Sequence, residues 1–223
     1  MILRSALLGL LFFPALASAQ AQETLFNLVS LNAQAEREVP NDLLSAVVAT
    51  EVEGADPAQL ADTVNRSMQR ALAVAQGFRS VRARSGAYQT SPVYDKNRIA
   101  RWRVRQELRL ESPDIAAATE LIGKLQGTLL VAGMTLSVSP EARRLAENAL
   151  IAEALAAFEE RARLVRDAMK AKAYRVRDLQ VAGGGPVRPV FAMAARADAM
   201  SAPALEPGTT RILITVSGTI QLQ

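Results

Sequence analysis

Hydrophobic positions recur along this chain with two distinct periods. Val29, Leu31, Ala33 and Ala35 alternate with Ser30, Asn32, Gln34 and Glu36. Trp102, Val104, Leu108 and Leu110 alternate with Arg101, Arg103, Arg105, Glu107 and Arg109, and Ile212, Ile214, Val216, Ile220 and Leu222 alternate with Arg211, Thr215, Ser217, Thr219 and Gln221. A period of two predicts strands with one face in a core and the other toward solvent or a partner. Residues near 43–53, 78–92, 131–138 and 175–182 are further strand candidates. Val93 to Ile99 reads as a hairpin connection, because Asp95 and Asn97 tolerate turn geometry.

Between these runs the period lengthens to that of a helix. Asp56-Pro57, Ser112-Pro113 and Ser139-Pro140 each place a side-chain acceptor at an N-cap and a proline at the first helical position. The first helix carries Leu60, Val64, Met68 and Leu72 on one face, with Gly77 as a left-handed cap. The second, short, carries Ala118, Leu121, Ile122 and Leu125. The third carries Ile151, Leu155, Phe158, Ala162, Val165 and Met169 as one stripe. If continuous from Pro140 to Ala173, it spans about 50 Å. The order is β-β-α-β-β-α-β-α-β-loop-β. It predicts an α+β fold: antiparallel sheets with two shorter helices and one long C-terminal helix.

Two segments fall outside this rhythm. Arg4 precedes an unbroken apolar run from Ala6 to Leu16, and Ala17-Ser18-Ala19 matches a signal-peptidase site. The run is too short for a spanning helix and contains Pro14. Residues 1–19 are therefore expected to be a cleaved signal peptide, with Ala21 as the alternative cleavage position, and residues 20–223 a single exported domain without a membrane span. Near the other end, Gly183-Gly184-Gly185-Pro186, an Ala/Met-rich run and Pro207-Gly208 predict a flexible loop over 183–208.

Composition narrows the chemistry. The 223 residues include neither cysteine nor histidine. That excludes disulfides, thiol catalysis, Cys- or His-ligated metals and histidine-based triads. Loss of Arg4 with the signal leaves 25 basic residues against 22 acidic ones, so the mature chain is nearly neutral overall. Charge matters here through its distribution. The most uneven stretch runs from Arg79 to Arg109, and its strand-face arginines, Arg101, Arg103, Arg105 and Arg109, form a candidate anion-binding face. Arginine clamps phosphates bidentately, and lipid-A phosphates or another envelope polyanion would suit such a ribbon. The plainer reading is a solvated face, or one paired with acidic residues of the long helix. The alternation sets Trp102 opposite these arginines, in the core, and export argues against nucleic acid as the partner.

Other candidates are weaker. Glu36 and Glu38 share a strand face, while Glu159 and Glu160 diverge on a helix. A carboxylate-based enzyme needs two such groups converging from separate elements. No nucleophile-elbow, S-x-x-K or P-loop motif occurs, and Gly183-Gly184-Gly185 precedes proline rather than a helix. Met193 and Met200 are a candidate oxidisable or contact loop: soft copper(I) ligands, sacrificial sulfoxide sites, or apolar packing against a neighbouring subunit. No cofactor or metal site is read from these residues.

Val39-Pro40-Asn41-Asp42, Ser91-Pro92-Val93-Tyr94-Asp95 with the strand around Trp102, Leu136 to Arg143, and Val216-Ser217-Gly218-Thr219-Ile220 occur in that order. In this series the chain resembles the SIMPL-domain family, YggE-like exported bacterial proteins of unknown function, over about residues 24–222. Two positions depart from the family pattern. Lys96-Asn97 replaces the common Asp/Asn-Gly turn, and Tyr174 stands where a helix-ending glycine is frequent. The resemblance implies a periplasmic α+β domain, homo-oligomeric assembly and, in some relatives, a link to oxidative-stress defence. It implies no catalytic residues. The combined expectation is a non-enzymatic periplasmic protein that self-associates or binds a cell-envelope component; polyanion binding through the arginine face and an unrecognised carboxylate enzyme are the alternatives.

Overall fold

Strands β1 (Leu28–Pro40) and β2 (Leu43–Gly54) are consecutive in the chain yet belong to different sheets. The computed structural model describes residues 26–183 and 207–223. After β2 come α1 (Pro57–Ala75), the hairpin β3 (Arg82–Asp95) and β4 (Arg98–Ser112), α2 (Ile115–Leu125), β5 (Leu130–Ser137), α3 (Pro140–Ala168), β6 (Tyr174–Gly183) and β7 (Thr209–Leu222). The order β1-β7-β6 forms a three-stranded sheet, and β3-β4-β2-β5 a four-stranded one, with every pairing antiparallel. The α+β class and the order of elements follow the sequence pattern. The signal peptide, Met193 and Met200 lie outside the described residues. No described helix is long and apolar enough to cross a membrane.

Each sheet has its own apolar core. Helices α1 and α2 cover one face of the larger sheet, where Leu44, Ala46, Val48, Leu108 and Leu110 meet Met68, Ala71, Leu121, Ile122 and Leu125. Helix α3 covers the smaller sheet through Leu150, Ala154, Phe158 and Ala162 against Ala33, Ile212, Ile214, Val216 and Ile220. Of the stripe the sequence pattern selects, Phe158 and Ala162 are buried and Ile151, Leu155 and Val165 pack partly buried against this core; Leu150 and Ala154 join it at the centre, and Met169 is exposed. Small residues prevail because the helix lies close to the sheet. Gly218 shows how close, since an added Cβ would stand 3.2 Å from Phe158 Cζ and 2.4 Å from the Asp178 carbonyl oxygen.

The helix ends differ from expectation in three places. The N-cap of α2 is Asp114, which accepts from the Ala117 N–H at 3.0 Å. Ser112 is fully buried and serves the turn before it, accepting from the Asp114 N–H and donating to the Ser80 carbonyl. Gly77 is not left-handed; α1 closes on Gln76 in the ordinary helical region. Helix α3 stops at Ala168, 29 residues and about 44 Å long. There Lys170, at φ 52°, takes the left-handed position, with Ala171 N–H bonded to the Arg166 carbonyl and Lys170 N–H to the Asp167 carbonyl. This is a Schellman cap made without glycine. The β3–β4 turn likewise runs through Lys96 and Asn97 at φ 44° and 68°, the two positive values a type I′ hairpin turn requires.

The chain crosses between the two sheet layers at Asn41-Asp42 and at Val138-Ser139. Asp42 accepts from both the backbone N–H and the hydroxyl of Ser139, at 2.6 and 2.8 Å. The same hydroxyl accepts from the Ala142 N–H and caps α3. Asn41, buried, donates its N–H to the Gly208 carbonyl and accepts from the Thr210 hydroxyl. The dispersed motifs around residues 40, 140 and 208 therefore meet at one hydrogen-bonded joint.

Candidate functional site

The face of the four-stranded sheet opposite α1 and α2 has no covering helix among the described residues. It is built by period-two alternation: Leu108 and Leu110 point into the core, so Arg103, Arg105, Glu107, Arg109 and Glu111 point away from it. Strand β2 adds Ser45, Val47, Glu51 and Glu53, and β3 adds Arg82 and Arg84. Trp102 is half-buried at the end of the sheet, opposite Gly54 and Pro92.

One end of this face is an ion-pair ladder. Arg103 lies directly across from Glu53 and reaches it at 2.5 Å, and also reaches Glu51 at 3.2 Å. Arg105 contacts Glu51 at 3.3 Å and Glu107 at 3.2 Å, while Arg101 contacts Glu53 at 2.6 Å. Hydrogen bonding from Arg103 holds the Glu53 carboxyl below the ordinary carboxylate range, assisted by the nearby charges of Arg101 and Arg103. The reciprocal bond to Glu53 raises the Arg103 guanidinium, and bonds to Glu107 and Glu51 raise that of Arg105. The partners are neighbouring-strand acids and Glu107, not the acids of the long helix. Of the expected anion-binding set, Arg101, Arg103 and Arg105 are already neutralised in place.

The other end is different. Arg109 has Val47 across from it on β2 and Arg84 across from it on β3. Neither Arg84 nor Arg109 forms an ion pair with a described carboxylate. Like charges directly opposed on neighbouring strands are unfavourable. A bulge between Ser85 and Tyr88 brings Gly86 beneath Arg109; a Cβ there would lie 3.4 Å from Arg109 Cγ and Nε and 2.9 Å from Glu107 Cβ. Alongside runs an open groove of about 270 Å³, lined by Ser45, Val47, Arg109, Glu111, Gly133 and Thr135. Gly133 leaves room on the β5 side, since a Cβ there would meet nothing within 4 Å.

Sequence reasoning grouped Arg109 with the ladder and missed its pairing with Arg84, as well as Ser45, Glu111, Gly133 and Thr135. The carboxylate candidates do not converge. Glu36 and Glu38 flank Arg211 at 3.7 Å each, and Glu159 is held by Arg163. Among the described residues, no group of three or more acidic side chains is placed to hold a metal ion. On the smaller sheet, the edge strand β6 exposes Val176, Leu179 and Val181 beyond the cover of α3.

A family model described as "SIMPL: Protein of unknown function (DUF541)" matches residues 29–220, from the first strand to the last. No curated protein matches the chain.

Proposed function

We propose that this chain, which belongs to the SIMPL family, is an exported periplasmic protein that acts by binding a cell-envelope component rather than by catalytic turnover. The observation that carries this reading is the open face of the four-stranded sheet. Its charged side chains are arranged as a surface, with a groove at one end, and Glu51, Glu53 and Glu107 hold arginines instead of converging on a reaction centre. Export rests on the predicted signal peptide. A contribution to oxidative-stress tolerance then follows indirectly, through the envelope, without thiol or histidine-ligated metal chemistry.

Fractionation of bacteria carrying the full chain tests the location. The reading expects periplasmic protein beginning at Gln20 or Gln22; cytoplasmic protein that retains Met1 would contradict it. Binding of the mature chain to lipopolysaccharide, weakening as salt rises, tests the partner class. Self-association is the second reading, favoured by the exposed apolar side chains of edge strand β6. A constant monomer mass in light scattering over a hundredfold concentration range would remove it.

A further inference from the structure

The end of the open face that carries Arg84 and Arg109, with the groove that Arg109 helps to line, has features that a general charged surface does not explain. Arg101, Arg103 and Arg105 each have a carboxylate in contact, whereas Arg84 and Arg109 face one another across adjacent strands. Arg82, next along the same face, stands across from Glu111. This end of the face therefore carries three guanidiniums against one carboxylate. Two opposed guanidiniums cost folding stability unless something lies between them. An anion does so, and a dianion compensates both.

We propose that a phosphate monoester attached to an apolar body binds here, its phosphate at the Arg84–Arg109 pair over β3 and β4 and its apolar end in the adjoining groove. This deepens the envelope-binding reading and rests on it. A phosphate monoester carries close to two charges at neutral pH and offers three acceptor oxygens, enough for a two-pronged contact from each guanidinium. Gly86 seats the stem of Arg109 against β3, which limits the places its guanidinium can reach. The groove itself is suited to an apolar fragment: Val47 lines it, Gly133 leaves the β5 side open, Ser45 and Thr135 add hydroxyls, and its one carboxylate, Glu111, stands across from Arg82. Its volume of about 270 Å³ is below that of sites enclosing a whole drug-sized molecule. It admits a few carbons of a ligand whose phosphate lies at the Arg84–Arg109 pair beside it. Such a phosphate occurs on lipid headgroups and on soluble phosphate esters alike.

The test is calorimetric titration of the mature chain with three probes: inorganic phosphate, glycerol phosphate and dihexanoyl phosphatidic acid. Vesicles of phosphatidylcholine with and without phosphatidic acid form a fourth arm. Dihexanoyl phosphatidic acid is expected to bind, and to lose at least tenfold in affinity in Arg84→Gln and in Arg109→Gln. Arg103→Gln stays within twofold of wild type. Gly133→Leu fills the groove without a backbone clash, so it weakens the phosphatidic acid probe and leaves inorganic phosphate unchanged. Glycerol phosphate binding as tightly as the lipid probe identifies a soluble ester as the ligand class; binding that needs the acyl chains or the vesicle identifies a headgroup. Equal losses in Arg103→Gln and Arg109→Gln would overturn the assignment, as would wild-type protein that binds none of the probes. Both arginine variants should melt at or above the wild-type temperature, because each removes one of two like charges set across from one another. A large fall in melting temperature would make the arginines structural and also overturn it. If lipopolysaccharide binds wild type and both variants alike, the envelope-binding reading stands and the groove assignment fails.

Discussion

Arg103 and Arg109 stand on the same face of the same strand, three alternations apart, and their neighbours give them opposite roles. Arg103 lies across from Glu53 and is held in an ion-pair ladder; Arg109 lies across from Val47 and Arg84 and has no carboxylate to hold. Residue type does not separate them. What separates them is which residue the register brings alongside, so an arginine-rich strand is a binding surface only where its cross-strand partners leave it charged. The paired end is a solvated lattice of modest energetic worth, as exposed ion pairs usually are. The unpaired end, beside a groove, is where a ligand gains most.

The largest effect sharpens the contrast between the two faces of β4. Leu108→Ala, on the covered face, should cost about 2–5 kcal/mol in chemical denaturation, because Leu108 is fully buried in a packed core. No single replacement on the open face should approach that. Next is the joint between the layers. Asp42→Ala removes the acceptor of two hydrogen bonds from Ser139 and should cost about 1–3 kcal/mol. The folded fraction should still bind the phosphate probe, marking the joint as structural.

Arg109→Glu breaks the comparison directly. It turns the Arg84–Arg109 opposition into an opposite-charge pair, so the groove end comes to resemble the ladder end. The variant should gain about 0.2–1 kcal/mol of stability and lose the phosphate probe altogether. Loss of stability instead would show that Arg109 already has a favourable partner. The smallest effect belongs to Glu53. Its folded-state pKa is depressed, so its contribution is present above the unfolded carboxylate value of about 4.3 and disappears as pH falls through the lower folded value. Glu53→Gln should therefore slightly flatten the acid limb of a stability-versus-pH curve and leave neutral-pH probe binding intact.

Much of this architecture is legible from periodicity alone. The buried face of α2, at Ala118, Leu121, Ile122 and Leu125, matches the helical spacing residue for residue. The order of elements along the chain and the antiparallel class follow from alternation and turn residues. The helix ends were harder to read, because the competing acceptors there are chosen by tertiary contacts. Ser112 resembles an N-cap but is drawn to Ser80, leaving Asp114 to cap α2. Lys170 accepts a left-handed backbone that sequence assigns to glycine. The addition of Leu150 and Ala154 to the stripe of α3 was not legible, and neither was the approach of Phe158 to the sheet over Gly218, a contact between residues 60 positions apart.

The site was half legible. Arg101 to Arg109 were visible as one face, and their division into paired and unpaired ends was not. The ladder needs the pairing of β2 with β4, a long-range contact that alternation does not specify. The Arg84–Arg109 opposition was closer to hand. A two-residue turn at Lys96-Asn97 sets Asp95 opposite Arg98, and carrying that register down the hairpin sets Arg84 opposite Arg109. The irregularities at Val93/Tyr94 and Ser85/Tyr88 offset one another, so the simple count survives.

The most direct test of this account follows the arginine side chains themselves. In a nitrogen-15 spectrum of the mature chain, the Nε–H signals of Arg84 and Arg109 should shift progressively as dihexanoyl phosphatidic acid is added, with those of Arg103 and Arg105 staying in place. Shifts spread evenly over all four, or confined to Arg103 and Arg105, would contradict it.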